Sequence, residues 1–140
     1  MSAPLEVYSW EGDGYQAFIS HRDWLVALMN WEQRFDPHGI GAIERHNQTD
    51  EVFVLLRGQA IIFVVQDKSA PEEAVQAVSM QTGVIYNVPK ATWHSVIGTR
   101  DASWLIVESN DTSQDNSDYR QLTAAERQAL LAQLPPWAQI

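Results

Sequence analysis

Glu44-Arg45-His46-Asn47-Gln48-Thr49-Asp50-Glu51, continued by Val52-Phe53-Val54-Leu55-Leu56-Arg57-Gly58, is the stretch on which the fold turns. Its counterpart is Gly83 to His94, with Pro89 between them. Successive side chains of a β-strand point to opposite faces, so Glu44 and His46 share one face. Glu51 follows a short polar turn, from which a returning strand can aim it at the same point. His94 lies at the start of a separate apolar run, Trp93 to Ile97, and would arrive from a strand distant in sequence. Two imidazoles and two carboxylates at these intervals suit one divalent first-row metal site on paired strands.

Outward from this stretch the chain reads as short β-runs parted by turn residues. Glu51 to Leu56 and Gln59 to Val65 are separated by Arg57-Gly58, which predicts a hairpin with Gly58 at positive φ. Leu5 to Trp10, Tyr15 to Ser20, Trp24 to Asn30 and Ile40 to His46 precede them. Val75 to Met80, Val84 to Val88, Trp93 to Ile97 and Trp104 to Glu108 follow. Many such runs without intervening helices predict an all-β jelly roll or related barrel. If Glu51 faces inward, parity carries Phe53 and Leu55 with it and gives the site an apolar rim; Tyr86 and Val88 share a face by the same rule. Asp67 to Ala74 reads as a polar loop and Asp111 to Asp118 as a polar linker. Thr123 and Glu126 form a capping box ahead of Ala124 to Leu134, and Pro135-Pro136 closes that helix. The expectation is one domain over residues 1–140, with a barrel core over about 40–110 and a short C-terminal helix over about 124–134.

The spacing resembles the cupin superfamily. That family's first motif pairs two histidines one residue apart with a glutamate five residues after the second and a glycine seven beyond. Its second motif runs from a glycine through a proline to a histidine. His46, Glu51, Gly58, Gly83, Pro89 and His94 fall on the pattern. Glu44 stands where the family has its first histidine, Ala91 where it has a glycine, and Gly98 where an asparagine is frequent. The resemblance implies a cupin-type double-stranded β-helix, a jelly-roll barrel with a metal held among Glu44, His46, Glu51 and His94. It also implies isomerase, lyase or decarboxylase chemistry on a small polar organic molecule, with dioxygenase chemistry as a rival. The other class it implies is a non-catalytic small-molecule or sugar-binding or sensing module. Homodimers paired through N-terminal strands are a further implication, since an apolar sheet edge needs cover.

Two carboxylates neutralise a divalent ion and make the site oxygen-rich, favouring Mn, Fe, Zn or Ni over Cu(I). If only three side chains bind, Glu44 is free as a general base, so it is at once candidate ligand and candidate catalytic residue. A surface position beside Arg45 is its structural alternative, and a hydrogen-bonded structural imidazole is that of His46 and His94. His21 and His38 sit in turn-like segments and are expected in solvent; Asp50, of opposite parity to Glu51, is expected as a turn residue.

Composition narrows the classes. The 140 residues are 45% hydrophobic with six Trp, which argues against disorder. A net charge of −9 with only Lys68 and Lys90 as lysines argues against a nucleic-acid partner. Cysteine is absent, so disulfides, thiolate ligands and a cysteine nucleophile are excluded. Met1 to Trp10 has no basic start followed by an apolar run, and no stretch is apolar enough to span a bilayer. A cytoplasmic protein without a membrane partner is the expectation. There is no phosphate-cradling glycine loop and no Gly-x-Ser-x-Gly elbow, and Asn110 to Asp118 lacks the pattern of an EF-hand.

Overall fold

The computed structural model describes residues 4–139; Met1 to Ala3 and Ile140, the ends of the expected domain, lie outside the described residues. Ten strands form two five-stranded antiparallel sheets. They are β1 (Gly14–His21), β2 (Trp24–Asn30), β3 (Ala42–His46), β4 (Glu51–Arg57) and β5 (Ala60–Val65), then β6 (Val75–Ser79), β7 (Ile85–Val88), β8 (Trp93–Gly98), β9 (Ser103–Ser109) and β10 (Ser117–Gln121). The first sheet has the order β1-β2-β9-β4-β7 and the second β10-β3-β8-β5-β6. Two helices, α1 (Pro71–Ala74) and α2 (Ala124–Leu131), lie outside the barrel. This is the cupin-type jelly roll that the sequence predicts.

Alternation sorts the side chains. On β4, Glu51, Phe53 and Leu55 are buried while Val52 and Val54 are only partly so. On β9, Trp104, Ile106 and Glu108 are buried and alternate with Leu105 and Val107. The inward sets meet Ala60, Ile62 and Val96 of the second sheet in one core between the sheets. A second core lies on the far side of the second sheet, where Ile61, Phe63, Val65 and Ile97 pack under Leu130 and Leu134. The predicted capping box holds α2 in register: Glu126 N–H donates to Thr123 Oγ1 at 3.1 Å and Thr123 N–H to Glu126 Oε1 at 2.8 Å.

Five expectations are corrected. Arg57-Gly58 is no hairpin turn: β4 pairs with β7 and β9, whereas β5 pairs with β6 and β8. Gly58 does take φ +78°, and a Cβ there would meet the Ala102 backbone at 2.7 Å. The hydrogen bonds after it run to the β8–β9 loop, from Gln59 N–H to Thr99 Oγ1 at 3.0 Å and from Thr99 N–H to the Gln59 carbonyl at 2.9 Å, so the chain crosses between sheets. Leu5 to Trp10 is not a strand; it runs outside both sheets, with Leu5 74% and Val7 81% exposed. The linker over 111–118 gives way to a short 3-10 turn, Gln114–Asn116, and then β10, while Pro71–Ala74 in the polar loop forms α1. The C-terminal helix stops at Leu131, short of 134.

Candidate metal centre

Both sheets aim polar side chains into the barrel at one level. Glu44 of β3 stands beside His94 of β8 in the ladder, and Ser117 of β10 stands opposite His46. Across the barrel, Glu51 of β4 is paired with Glu108 of β9. The four residues named from sequence therefore come together: one ligand atom from each of Glu44, His46, Glu51 and His94 lies within 4.8 Å of all the others. His21 and His38 are exposed. Asp50 ends the turn before β4, where it accepts from Lys90 N–H at 2.9 Å and from Asn87 Nδ2 at 3.1 Å.

Each imidazole is oriented from behind. His94 Nδ1 donates to the Thr92 carbonyl at 2.8 Å, and His46 Nδ1 bonds Ser117 Oγ at 2.7 Å. Both Nε2 atoms are thereby turned to the centre, the arrangement by which an outer partner fixes a ligating histidine. There they converge on Glu51 Oε1, at 3.1 Å from His46 and 2.8 Å from His94. Two donors bound at right angles to one ion at about 2.1 Å each stand roughly 3.0 Å apart. The same spacing suits a hydrogen bond, so a proton and an ion compete for one place. Glu44 Oε1 is farther off, 3.8 Å from His46 Nε2 and 3.9 Å from His94 Nε2, and its side chain is 28% exposed.

Glu108 was not found from the sequence. It is buried, its Oε1 accepts from Tyr15 O–H at 2.9 Å, and its Oε2 has no hydrogen-bond partner while lying 3.9 Å from His46 Nε2. A glutamate at the end of Trp104 to Glu108 reads as the solvated end of a strand. Its parity with Trp104 and Ile106 was the signal that could have found it.

Burial and like charge shape the titrations. Burial opposes the charged form of His46, but the Glu51 hydrogen bond and the charges of Glu51, Glu44 and Glu108 outweigh it and raise its pKa to about 8. Burial likewise opposes His94, and Glu51 again turns the shift upward. Glu51 would be raised by its burial, yet the two imidazoles hold it well below the usual carboxylate range. Glu108, desolvated and facing the Glu51 charge, is pushed up to about 8. An anionic donor set that raises the basicity of its own imidazoles, with an orphaned carboxylate oxygen beside it, fits a divalent cation.

The centre opens into a cavity of about 290 Å³, walled by Met29, Phe35, Phe53 and Ile106 and edged by Tyr15 and Tyr119. None of the six Trp lines it; its aromatic lining is Tyr15, Phe35, Phe53 and Tyr119. Trp93 faces the other way, its ring covered by the Arg45 and Arg120 guanidinium groups at 4.6 and 5.0 Å. Among the described residues, no helix is long and apolar enough to cross a membrane.

A protein-family model described as ureidoglycolate lyase matches residues 12–130. No curated protein matches the chain. Several solved structures share the fold. A cupin-2 domain containing protein from Shewanella frigidimarina is 19% identical, with TM-score 0.51 over 72% of this chain and 85% of that one. KdgF from Halomonas sp. is 13% identical, with TM-score 0.51 over 77% and 90%. Streptomyces Pac13, a nucleoside dehydratase also solved with uridine, is 9% identical, with TM-score 0.55 over 86% and 96%.

Proposed function

The chain belongs to the ureidoglycolate lyase family, and we propose that it is a metal-dependent lyase cleaving a small hydroxy acid, with ureidoglycolate as the first substrate to test. The observation that carries this reading is the convergence of Glu44, His46, Glu51 and His94 beside a third carboxylate, Glu108, whose Oε2 has no hydrogen-bond partner. His46, Glu51 and His94 would hold the ion, with Glu44 as fourth ligand or as base. When bound, a divalent ion supplies Lewis acidity to a substrate oxygen.

The residues account for the rest of the chemistry. Ureidoglycolate carries a hydroxyl, a carboxylate and a ureido nitrogen on one carbon. Cleavage turns the C–O bond into a carbonyl as the hydroxyl proton leaves, and the C–N bond breaks as nitrogen gains a proton, giving glyoxylate and urea. Glu44, the outermost carboxylate of the cluster, takes the hydroxyl proton. Glu108, held through Oε1 by Tyr15 with Oε2 free, delivers a proton to the departing nitrogen. Among the described residues Arg34 is the one arginine or lysine lining the cavity, and it supports a carboxylate-bearing substrate. The apolar wall of Met29, Phe35 and Phe53 limits access of water.

The test is to load the protein with Mn²⁺, Fe²⁺, Zn²⁺ or Ni²⁺ in turn and follow glyoxylate and urea released from ureidoglycolate. Equal release of both, lost in Glu44→Gln and Glu108→Gln, is the expected result. Metal-loaded protein that binds the substrate without releasing either product would make this a binding module.

A further inference from the structure

The cavity at the candidate metal centre has two unlike ends. Its inner end is apolar. Phe53 of β4 and Ile106 of β9 are cross-strand partners, two residues along the same strands from the pair Glu51 and Glu108, a step of roughly 7 Å. Met29, Phe35 and Val96 complete this floor, and all five residues are at most 4% exposed. None of these side chains offers a nitrogen or an oxygen to a ligand. β4 and β9 are interior strands, so their backbone groups are taken up by neighbours on each side. The outer end is polar, with Arg34, Gln114 and Tyr119. Tyr119 and the Arg34 side chain are each 55% exposed. Arg34 Nε is held by Glu32, and the guanidinium lies 4.4 Å above the Phe35 ring.

We infer that the ligand this site is built for is an N-acylated 2-hydroxyglycine whose acyl group ends in hydrocarbon, with ureidoglycolate as its polar relative. The chemistry rests on the lyase reading; the choice of end group rests on the cavity alone. A carboxylate drawn to Arg34 at the mouth, a hydroxyl at Glu44 and a nitrogen at Glu108 leave one direction for the acyl group, inward onto Phe53 and Ile106. Ureidoglycolate places a terminal NH₂ there. Burying its donors without acceptors costs about ten- to a hundredfold in affinity. A phenyl or short alkyl group in the same place is instead stabilised by burial and by contact with the Phe35 and Phe53 rings. The amide carbonyl and nitrogen are common to both acids, so the end group alone discriminates. Space permits the larger group: a cavity of about 290 Å³ approaches the roughly 300 Å³ at which pockets begin to enclose drug-sized molecules. In the cleavage, the hydroxyl proton passes to Glu44 as the C–O bond becomes a carbonyl. The C–N bond breaks and the nitrogen takes a proton from Glu108, giving glyoxylate and a primary amide.

Hippurate and hydantoate, unreactive analogues that lack the hydroxyl, differ only in this end group, phenyl against NH₂. Calorimetric titration of each into Zn²⁺-loaded protein tests the inference, and hippurate is expected to bind at least about tenfold tighter. Met29→Gln sets an amide into the floor on a side chain of similar length and should narrow that gap at least about fivefold, whereas Met29→Leu should preserve it. Hippurate that binds the wild type no tighter than hydantoate, or not at all, overturns the inference whether or not Met29→Gln folds. Turnover is then followed with α-hydroxyhippurate, as glyoxylate and benzamide, beside ureidoglycolate. Tighter hippurate binding with no product from either acid supports the ligand class and sinks the lyase reading. A higher kcat/KM for ureidoglycolate than for α-hydroxyhippurate does the reverse, keeping the lyase reading and overturning the apolar end group.

Discussion

Acidification from pH 8 to pH 6 should weaken binding of Zn²⁺ or Mn²⁺ by at least about fiftyfold, because the ion must displace a proton held by His46. With its pKa raised to about 8, His46 is half neutral at pH 8. At pH 6 only about one molecule in a hundred carries the neutral imidazole, whereas an ordinary histidine near 6.5 would lose only about fourfold over the same range. The difference traces to Glu51 Oε1, 3.1 Å from His46 Nε2, and to the charges of Glu44 and Glu108 beyond it. His94 is shifted in the same direction and steepens the dependence. Competition against a fluorescent chelator of known pH response, at pH 6, 7, 8 and 9, measures the slope. A loss of fourfold or less would refute the reasoning. Without metal the sign reverses. A group whose pKa is raised on folding contributes stability below its unfolded pKa and loses it as pH climbs through the folded value. The His46 contribution, on the order of 2 kcal/mol, is therefore present at pH 6 and fades between about 6.5 and 8 in the apo protein.

Three other outcomes are expected. His46→Ala and His94→Ala should each lose the metal on elemental analysis of protein purified without chelator, while near-stoichiometric metal in either variant would take that histidine out of the site. Ala91, which sits at φ +60° where the family motif has glycine, should become more stable on Ala91→Gly; roughly 1 kcal/mol of left-handed strain is relieved and partly offset by chain entropy. A thermal melt no higher than wild type would show that the Ala91 N–H bond to the His46 carbonyl, 2.7 Å long, already absorbs the strain. Leu130→Ala should cost about 3 kcal/mol in urea denaturation, since it empties a fully buried position between α2 and the second sheet.

The barrel was legible wherever one face of a strand is buried. The parity of Glu51, Phe53 and Leu55 appears in the structure as burial of all three. The motif spacing likewise brought Glu44, His46, Glu51 and His94 to one point. The misreadings have physical reasons. Ser117–Gln121 is an edge strand with only Ser117 buried, so it carries no period-two apolar signal. Leu5 to Trp10 is apolar enough for a strand, but strand formation also requires a free neighbour, which local composition does not report. Arg57-Gly58 has hairpin chemistry, yet which sheet the next strand joins is decided by Thr99 and Ala102, some forty residues on. Glu108 was hidden because a carboxylate is ordinarily read as facing water.

The Ser117 hydroxyl that steers His46 belongs to β10, and β10 is bound to a single neighbour, β3, at the margin of its sheet. Fraying of a strand with one neighbour requires far less free energy than unfolding the barrel. Each such opening would free the imidazole to rotate away from the centre. The residence time of an ion held there would then be tied to the breathing of one marginal strand, and its exchange rate would serve as a clock for that local motion, largely decoupled from the melting temperature of the whole protein.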